Sequence, residues 1–173
     1  MPARRRASLP PTDEGRLSSF PPVAGPGTRV LILGSLPGAV SLRRGQYYGN
    51  PQNQFWRLVA DALGAPLPDG YEARLAALAA AGIGLWDVVG AARRIGSLDA
   101  AIRDHQPNPL RAFVATLPAL RAVAFNGKTA LAIGSRELAG ADVASLALPS
   151  SSPAYTLAFI AKADAWRAIR DWL

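Results

Sequence analysis

The chain contains no cysteine. Disulfides, thiolate nucleophiles, cysteine-based zinc sites and iron–sulfur clusters are thereby excluded. Histidine occurs once, as His105, so a multi-histidine metal centre is excluded as well. In the stretch HQPNP that residue reads as part of a loop. No apolar run approaches the roughly 18–20 residues that span a bilayer. The N-terminal stretch MPARRRASLPPTDEGR has charge with no apolar core behind it, unlike a secretory leader. The expectation is a soluble, cytoplasmic protein with no membrane partner. Lysine is scarce too: only Lys128 and Lys162 occur, against 17 arginines, and the formal charge is +7. A basic surface favours polyanions, nucleic acid above all. Two plainer sources of that charge compete, a GC-rich genome that enriches Arg and Ala together, and Arg4, Arg5 and Arg6 in a loose tail.

What is present fits one globular domain. With 173 residues, half of them apolar, the chain is long enough to bury a core of ordinary size. Residues 1–18 read as a flexible basic tail and 19–173 as a single domain, with an irregular lead-in up to residue 27. VLIL, 30–33, reads as a strand buried on both faces. NPQNQFWRLVADALG reads as a helix capped by Asn50, with Pro51 in its first position and Gly64 as its stop. YEARLAALAAAG is a second helix. GLWDVV, 84–89, is a strand, GAARRIGS a polar loop, and LDAAIRD and PLRAFVATL short helices. RAVAF and ASLALP are strands, GKTALAIGS starts a helix, and AKADAWRAIRDWL closes the chain as an amphipathic helix. Strands alternating with helices predict an α/β fold around a parallel sheet. Ligands of such folds collect beyond the carboxyl ends of the strands, which directs attention to loops 34–53, 88–97, 126–129 and 148–156.

Those loops hold the motifs. NGKT, 126–129, ends like a phosphate-binding loop, but the glycine required five residues before Gly127 is Ala122. It reads as a helix start that still offers Lys128 and backbone N–H groups to a phosphate. GSLPG, 34–38, lacks the order of a nucleophile elbow; it is a tight turn whose glycines let backbone approach a ligand. On a helical wheel Asn53 falls opposite the Phe55–Leu58–Ala62 face, either as a capping partner of Asn50 or as an amide aimed at an enclosed ligand. Tyr47 and Tyr48 either fill a loop or offer a flat surface for a nucleobase. LPSSSPA, 148–154, is either a linker or a loop that grips phosphates. Asp87, at the end of an apolar strand, must be paired or functional.

Taken together, LILGSLPGAVSLRRGQYYGNPQNQFW, GLWDVVGAARRIGSLDAAIRD, VAFNGKTA and LPSSSPAYT resemble, in order, motifs of the uracil-DNA glycosylase superfamily. The likeness spans about residues 20–172 and is nearest to the hypoxanthine-DNA (deoxyinosine) glycosylase branch, which is related to mismatch-specific uracil-DNA glycosylases. It implies a three-layer α/β/α sandwich around a four-stranded parallel sheet. It also implies a monomer that uses no metal or organic cofactor. The implied reaction is hydrolysis of the bond between a deaminated base and deoxyribose in DNA, leaving an abasic site, as in base excision repair. By the same likeness Tyr48 stacks on the flipped base, Gly34, Ser35, Leu36, Pro37 and Gly38 line its pocket with Asp87, and Asn53 is catalytic. Ser41, Lys128, Ser150, Ser151, Ser152 and Pro153 are the expected DNA contacts. Two positions depart from the pattern. Leu36 stands where mismatch-specific relatives carry a catalytic Asn, and Leu148 where many uracil-specific enzymes carry a His. Two alternatives stay open at this point: a uracil-preferring enzyme, and a non-catalytic DNA- or nucleotide-binding module.

Overall fold

A computed structural model describes residues 15–173. The expected basic tail therefore lies outside the described residues except at its end, and there it is ordered: Arg16–Ser18 form strand β1. The VLIL run forms β2 (Val30–Gly34), in which every residue is buried. Its side chains alternate between two cores, as the pleat requires. Val30 and Ile32 join Phe55, Leu58 and Trp166 on one face. Leu31 and Leu33 join Val123, Phe125 and Leu110 on the other.

Around β2 a four-stranded parallel sheet is ordered β3-β2-β6-β7, with β3 at Ile83–Asp87, β6 at Ala122–Asn126 and β7 at Ala144–Leu148. Helices α2 (Phe55–Leu63), α3 (Tyr71–Ala80) and α6 (Phe159–Trp166) contribute to the first core. Helices α4 (Leu110–Val114) and α5 (Lys128–Glu137) contribute to the second. The three layers are those expected. Contact between layers is close: a Cβ placed on Gly134 of α5 would lie 2.2 Å from the buried Phe125 ring. Among the described residues no helix is long and apolar enough to cross a membrane.

The parallel register pairs Gly34 with Asp87 and Asn126 with Leu148. The carboxyl ends of the strands thus finish along one edge, and polar residues, Asp87 and Asn126, end two of the four strands there.

Three sequence expectations need correction. Helix α2 begins at Phe55, not at Pro51, and its cap residue Gln54 makes no side-chain cap bond. Residues before it are drawn into turns, because Asn50 Oδ1 accepts Gln52 N–H at 3.0 Å and Asn53 Oδ1 accepts Phe55 N–H at 2.9 Å. Such local bonds compete with a helical turn. Second, GAARRIGS is no plain loop, and LDAAIRD no α-helix. They supply β4 (Val89–Arg93), a short 3-10 turn at Asp99–Ala101, and β5 (Arg103–Pro107). With β1 these form an antiparallel sheet ordered β1-β4-β5. Every residue of β5 is exposed, so its sequence, RDHQP, carries no apolar alternation; backbone pairing to β4 alone makes it a strand. Third, a short helix α1 (Ala39–Arg44) lies inside the long loop expected after β2.

Candidate active site

A cavity of about 350 Å³ opens at the carboxyl edge of the parallel sheet. Its wall gathers the GSLPG turn, Ser41, Tyr48, Asn53, Asp87 and Ser150 to Pro153. These positions lie more than a hundred residues apart in sequence, and every expected site residue except Lys128 is among them. Lys128 is exposed at the start of α5, one residue beyond Gly127, whose backbone lies against Ser150.

Gly34 and Asp87 form the floor. A Cβ at Gly34 would fall 2.6 Å from Asp87 Oδ1 and 3.1 Å from the Tyr48 hydroxyl. Only glycine lets the carboxyl and the phenol close over the strand end. Asp87 is 4% exposed, and its Oδ2 has no hydrogen-bond partner. A buried, unpaired carboxylate oxygen is costly. Accordingly its pKa is pushed up to about 7, first by burial and then by the neighbouring Asp99, against the opposing pull of Arg94. Asp99 is itself raised by burial, although it accepts the Ser35 hydroxyl at 2.6 Å.

Tyr48 is gripped on all sides but one. Its ring stacks on Phe55 with centroids 3.7 Å apart and planes 7° apart. Its hydroxyl accepts Asn126 Nδ2–H at 3.2 Å, and its carbonyl accepts the Trp56 indole N–H at 3.2 Å. Its φ of 51° is the left-handed region that a bulky residue rarely enters. The face away from Phe55 is left for the cavity. Burial and the nearby Asp87 raise the phenol pKa, so the hydroxyl stays neutral.

Asn53 lines the cavity from the turn before α2. Asn53 precedes the helix, so a helical wheel does not set its direction; it reaches the cavity from the turn. Its Oδ1 accepts Phe55 N–H, which fixes the amide, and its Nδ2 makes no hydrogen bond among the described residues.

Two expected DNA contacts turn out to be structural. Ser41 is 5% exposed and its hydroxyl accepts Gly49 N–H at 2.9 Å, shaping the turn under Tyr48. Ser151 is 1% exposed. Its N–H donates to Asn126 Oδ1 and its hydroxyl accepts Asn126 Nδ2–H, both at 2.9 Å, and its carbonyl accepts Gln54 N–H. Ser150 and Ser152 instead shape successive turns by accepting Ser152 N–H and Ala154 N–H, and Pro153 is exposed. Leu36 forms an apolar part of the cavity wall. Leu148 is buried in the core, so it offers the cavity no polar group.

Sequence reading missed Asn126, Arg94, Asp99 and Lys162. Asn126 bolts β6 to Tyr48 and to the serine loop, and its signal was the one that flagged Asp87, a polar residue ending an apolar strand. Lys162 is 1% exposed and donates to the carbonyls of Tyr155 at 2.7 Å and Ser152 at 3.3 Å, which ties down the serine loop. Buried Arg94 donates to the carbonyls of Leu36 and Pro37 and to Gly96 at 2.9 Å. Neither basic residue carried a distinguishing sequence signal, because both depend on contacts remote in the chain.

The family model of the Uracil DNA glycosylase superfamily matches residues 21–173. A protein of Methanosarcina acetivorans named hypoxanthine DNA glycosylase is 43% identical over 153 residues, covering 87% of this chain and 95% of that one. Another of that name, from Methanosarcina barkeri, is 48% identical over 110 residues, covering 63% of this chain and 70% of that one. A solution NMR structure from Methanosarcina acetivorans, provisionally named a uracil DNA glycosylase, aligns with a TM-score of 0.80 at 41% identity, over 89% of this chain and 96% of that one.

Proposed function

The chain belongs to the Uracil DNA glycosylase superfamily, and from that premise we propose that it is a monofunctional DNA glycosylase removing deaminated bases, hypoxanthine foremost, through the cavity at the carboxyl edge of its parallel sheet. The observation that carries the reading is Asp87: a buried carboxyl with an unpaired oxygen, on the floor of a cavity that Tyr48 lines with an aromatic ring. The names of the two curated relatives favour hypoxanthine over other bases.

The partner is DNA, and the working form is a monomer in the cytoplasm, with one glycosylase domain that includes β1 and so runs from residue 16 to 173. Basic residues meet the phosphate backbone, with Lys128, Ser150, Ser152 and Pro153 at the rim on the lesion strand. The damaged nucleotide leaves the stack and enters the cavity. Tyr48, supported from behind by Phe55, stacks on the base and contributes on the order of 1–3 kcal/mol. Neutral Asp87 donates its O–H to the base carbonyl and accepts the adjacent lactam N–H. Hypoxanthine and uracil both present that edge. Asn53 holds a water against the sugar carbon. An amide is a poor base, so its part is positioning. The bond from C1′ to the base nitrogen breaks with its electron pair leaving on the base. Water oxygen bonds to C1′, its proton passes to the departing base or solvent, and an abasic site remains.

Duplexes carrying hypoxanthine, uracil or xanthine, assayed in competition for abasic product, test the reading. Hypoxanthine should be released fastest. Asn53→Ala should slow release on the order of 10²-fold through loss of positioning, and full activity in that variant would remove Asn53 from the mechanism. Unimpaired release in Tyr48→Ala would remove the stacking role. Absence of abasic product from all three duplexes would leave a DNA-binding module in place of an enzyme.

A further inference from the structure

The small antiparallel sheet holds residues that this mechanism does not use. Its register sets Arg16 opposite Arg93, and Arg93 opposite Arg103. One row across three strands is therefore arginine throughout. Directly opposed residues on antiparallel strands share a face, where like charges repel. Among the described residues the ion pairs within 4.0 Å all belong to Arg167, so none offsets this row. Arg93 and Arg103 are exposed. Arg16 donates to the Asp104 carbonyl, and Arg103 to those of Ala100 and Ile102. Those bonds orient guanidinium groups without neutralising them.

Beyond the row, β4 runs into a tip at residues 94–98. There Ile95 is 93% exposed and Leu98 is 59% exposed. Exposure on a loose loop would mean little, but this tip is clamped. Arg94 binds Gly96 on the tip and both Leu36 and Pro37 on the cavity wall. The Ser97 hydroxyl accepts Ala39 N–H at 3.0 Å, and Asp99 holds the Ser35 hydroxyl. Leu98 and Ser97 line the cavity itself. The tip joins the sheet at its β3–β2 side, whereas the serine loop, with Tyr155 42% and Leu157 40% exposed, follows β7 at the other end of the strand order. Two rigidly based apolar projections thus flank one cavity. Irregular pairing on either side of Ala91 adds the local twist by which bulges re-aim a strand.

We propose that this sheet is a second DNA-contact surface, in which the Arg16–Arg93–Arg103 row holds a phosphate backbone and Ile95 wedges against the base pairs beside the extruded nucleotide. The inference rests on the glycosylase reading for its occupant. Phosphates supply the negative charge that the row lacks, and an apolar side chain held in water gains by entering a base stack. The occupant is duplex DNA, since a single strand offers no pair for Ile95 to part.

Equilibrium binding of the full chain to a short undamaged duplex, followed by fluorescence anisotropy over a salt series, tests this without requiring turnover. Arg93→Ala/Arg103→Ala should reduce the slope of log K against log salt by about 2, the loss of two phosphate contacts. Melting temperature should hold or rise, because the row repels itself. Ile95→Ser should weaken binding to the same duplex with an abasic site in place of one nucleotide several-fold (on the order of the cost of a lost wedge) and leave binding of the same sequence as a single strand unchanged. Arg121→Ala, ahead of β6 at the opposite edge of the sheet, is the control. An unchanged slope in the double variant overturns the arginine row. Equal loss in Arg121→Ala overturns it too, since binding would then be diffuse. Equal loss of single- and double-strand binding in Ile95→Ser overturns the wedge. A chain that yields no abasic product yet shows the expected slope change would defeat the glycosylase reading and keep this surface.

Discussion

In the parallel sheet β2, β3 and β6 have every residue buried, whereas in the antiparallel sheet every residue of β5 is exposed. The first sheet is held by side chains packed on both faces; the second buries Val89 and Ala92 of β4 in the second core, with Leu17 of β1 packed against it, and leaves β5 to backbone pairing. Both end at the same cavity, yet they supply different things. The buried sheet contributes the floor, where Gly34, Asp87 and Asn126 must sit within a few tenths of an ångström. The antiparallel sheet contributes exposed arginines and an apolar tip clamped to the cavity wall. Stability and positioning therefore reside in one sheet and long-range attraction in the other, so the same kind of substitution should have opposite consequences in each.

The largest effect should come from hollowing the parallel sheet. Phe125 is fully buried against Gly134 and Val88, and Phe125→Ala should cost about 3–5 kcal/mol of folding stability. Urea unfolding measures this, and a loss under 1 kcal/mol would mean that the two layers are not coupled through this ring.

Next is the titration of Asp87. Its pKa in the folded chain is raised to about 7 from an ordinary 3.8. A raised acid stabilises the fold fully below the ordinary carboxyl range and loses that contribution as pH rises through about 7. Unfolding free energy should fall from about pH 4 to about pH 7 in the native chain and level off above that. Asp87→Asn keeps one donor and one acceptor at every pH, so its stability should vary less over that range. Base release should follow the same pattern. Above neutrality the native enzyme should lose roughly tenfold per pH unit through loss of the neutral form, and the asparagine variant should not. A native profile that rises above pH 7 would show that the carboxylate, not the acid, is the working form.

The smallest effect should come from β5. Gln106→Ala, in an exposed strand without side-chain packing, should stay within about 0.5 kcal/mol of the native stability. A larger loss would show that β5 relies on side chains after all, and would narrow the contrast between the two sheets.

The buried strands were legible because apolar runs bounded by glycine and proline have few other uses. Tyr48 and Asn53 were legible through the family likeness of their stretch, but the reason first given for the orientation of Asn53 was wrong. Two Asx-type turns, not a helical wheel, set its direction. The antiparallel sheet was not legible at all. GAARRIGS and RDHQP have no period-two pattern, because their strand geometry comes from partners and not from a continuous buried face.

Sequence by itself determined the chemistry available: no thiol, a single histidine, an excess of arginine, and polar residues set at the ends of apolar strands. It also determined the parallel sheet, since runs such as VLIL can satisfy their side chains only between two apolar layers. Tertiary structure alone decided which polar groups face the cavity and which are consumed inside the fold. Ser151 and Ser152 are identical and adjacent, yet one is locked to Asn126 and the other stands at the rim. Asp87 acquires its unusual proton affinity only because Gly34, Tyr48 and Asp99 close around it. Burial and neighbouring charge are properties of assembled surroundings, and no local stretch of sequence contains them.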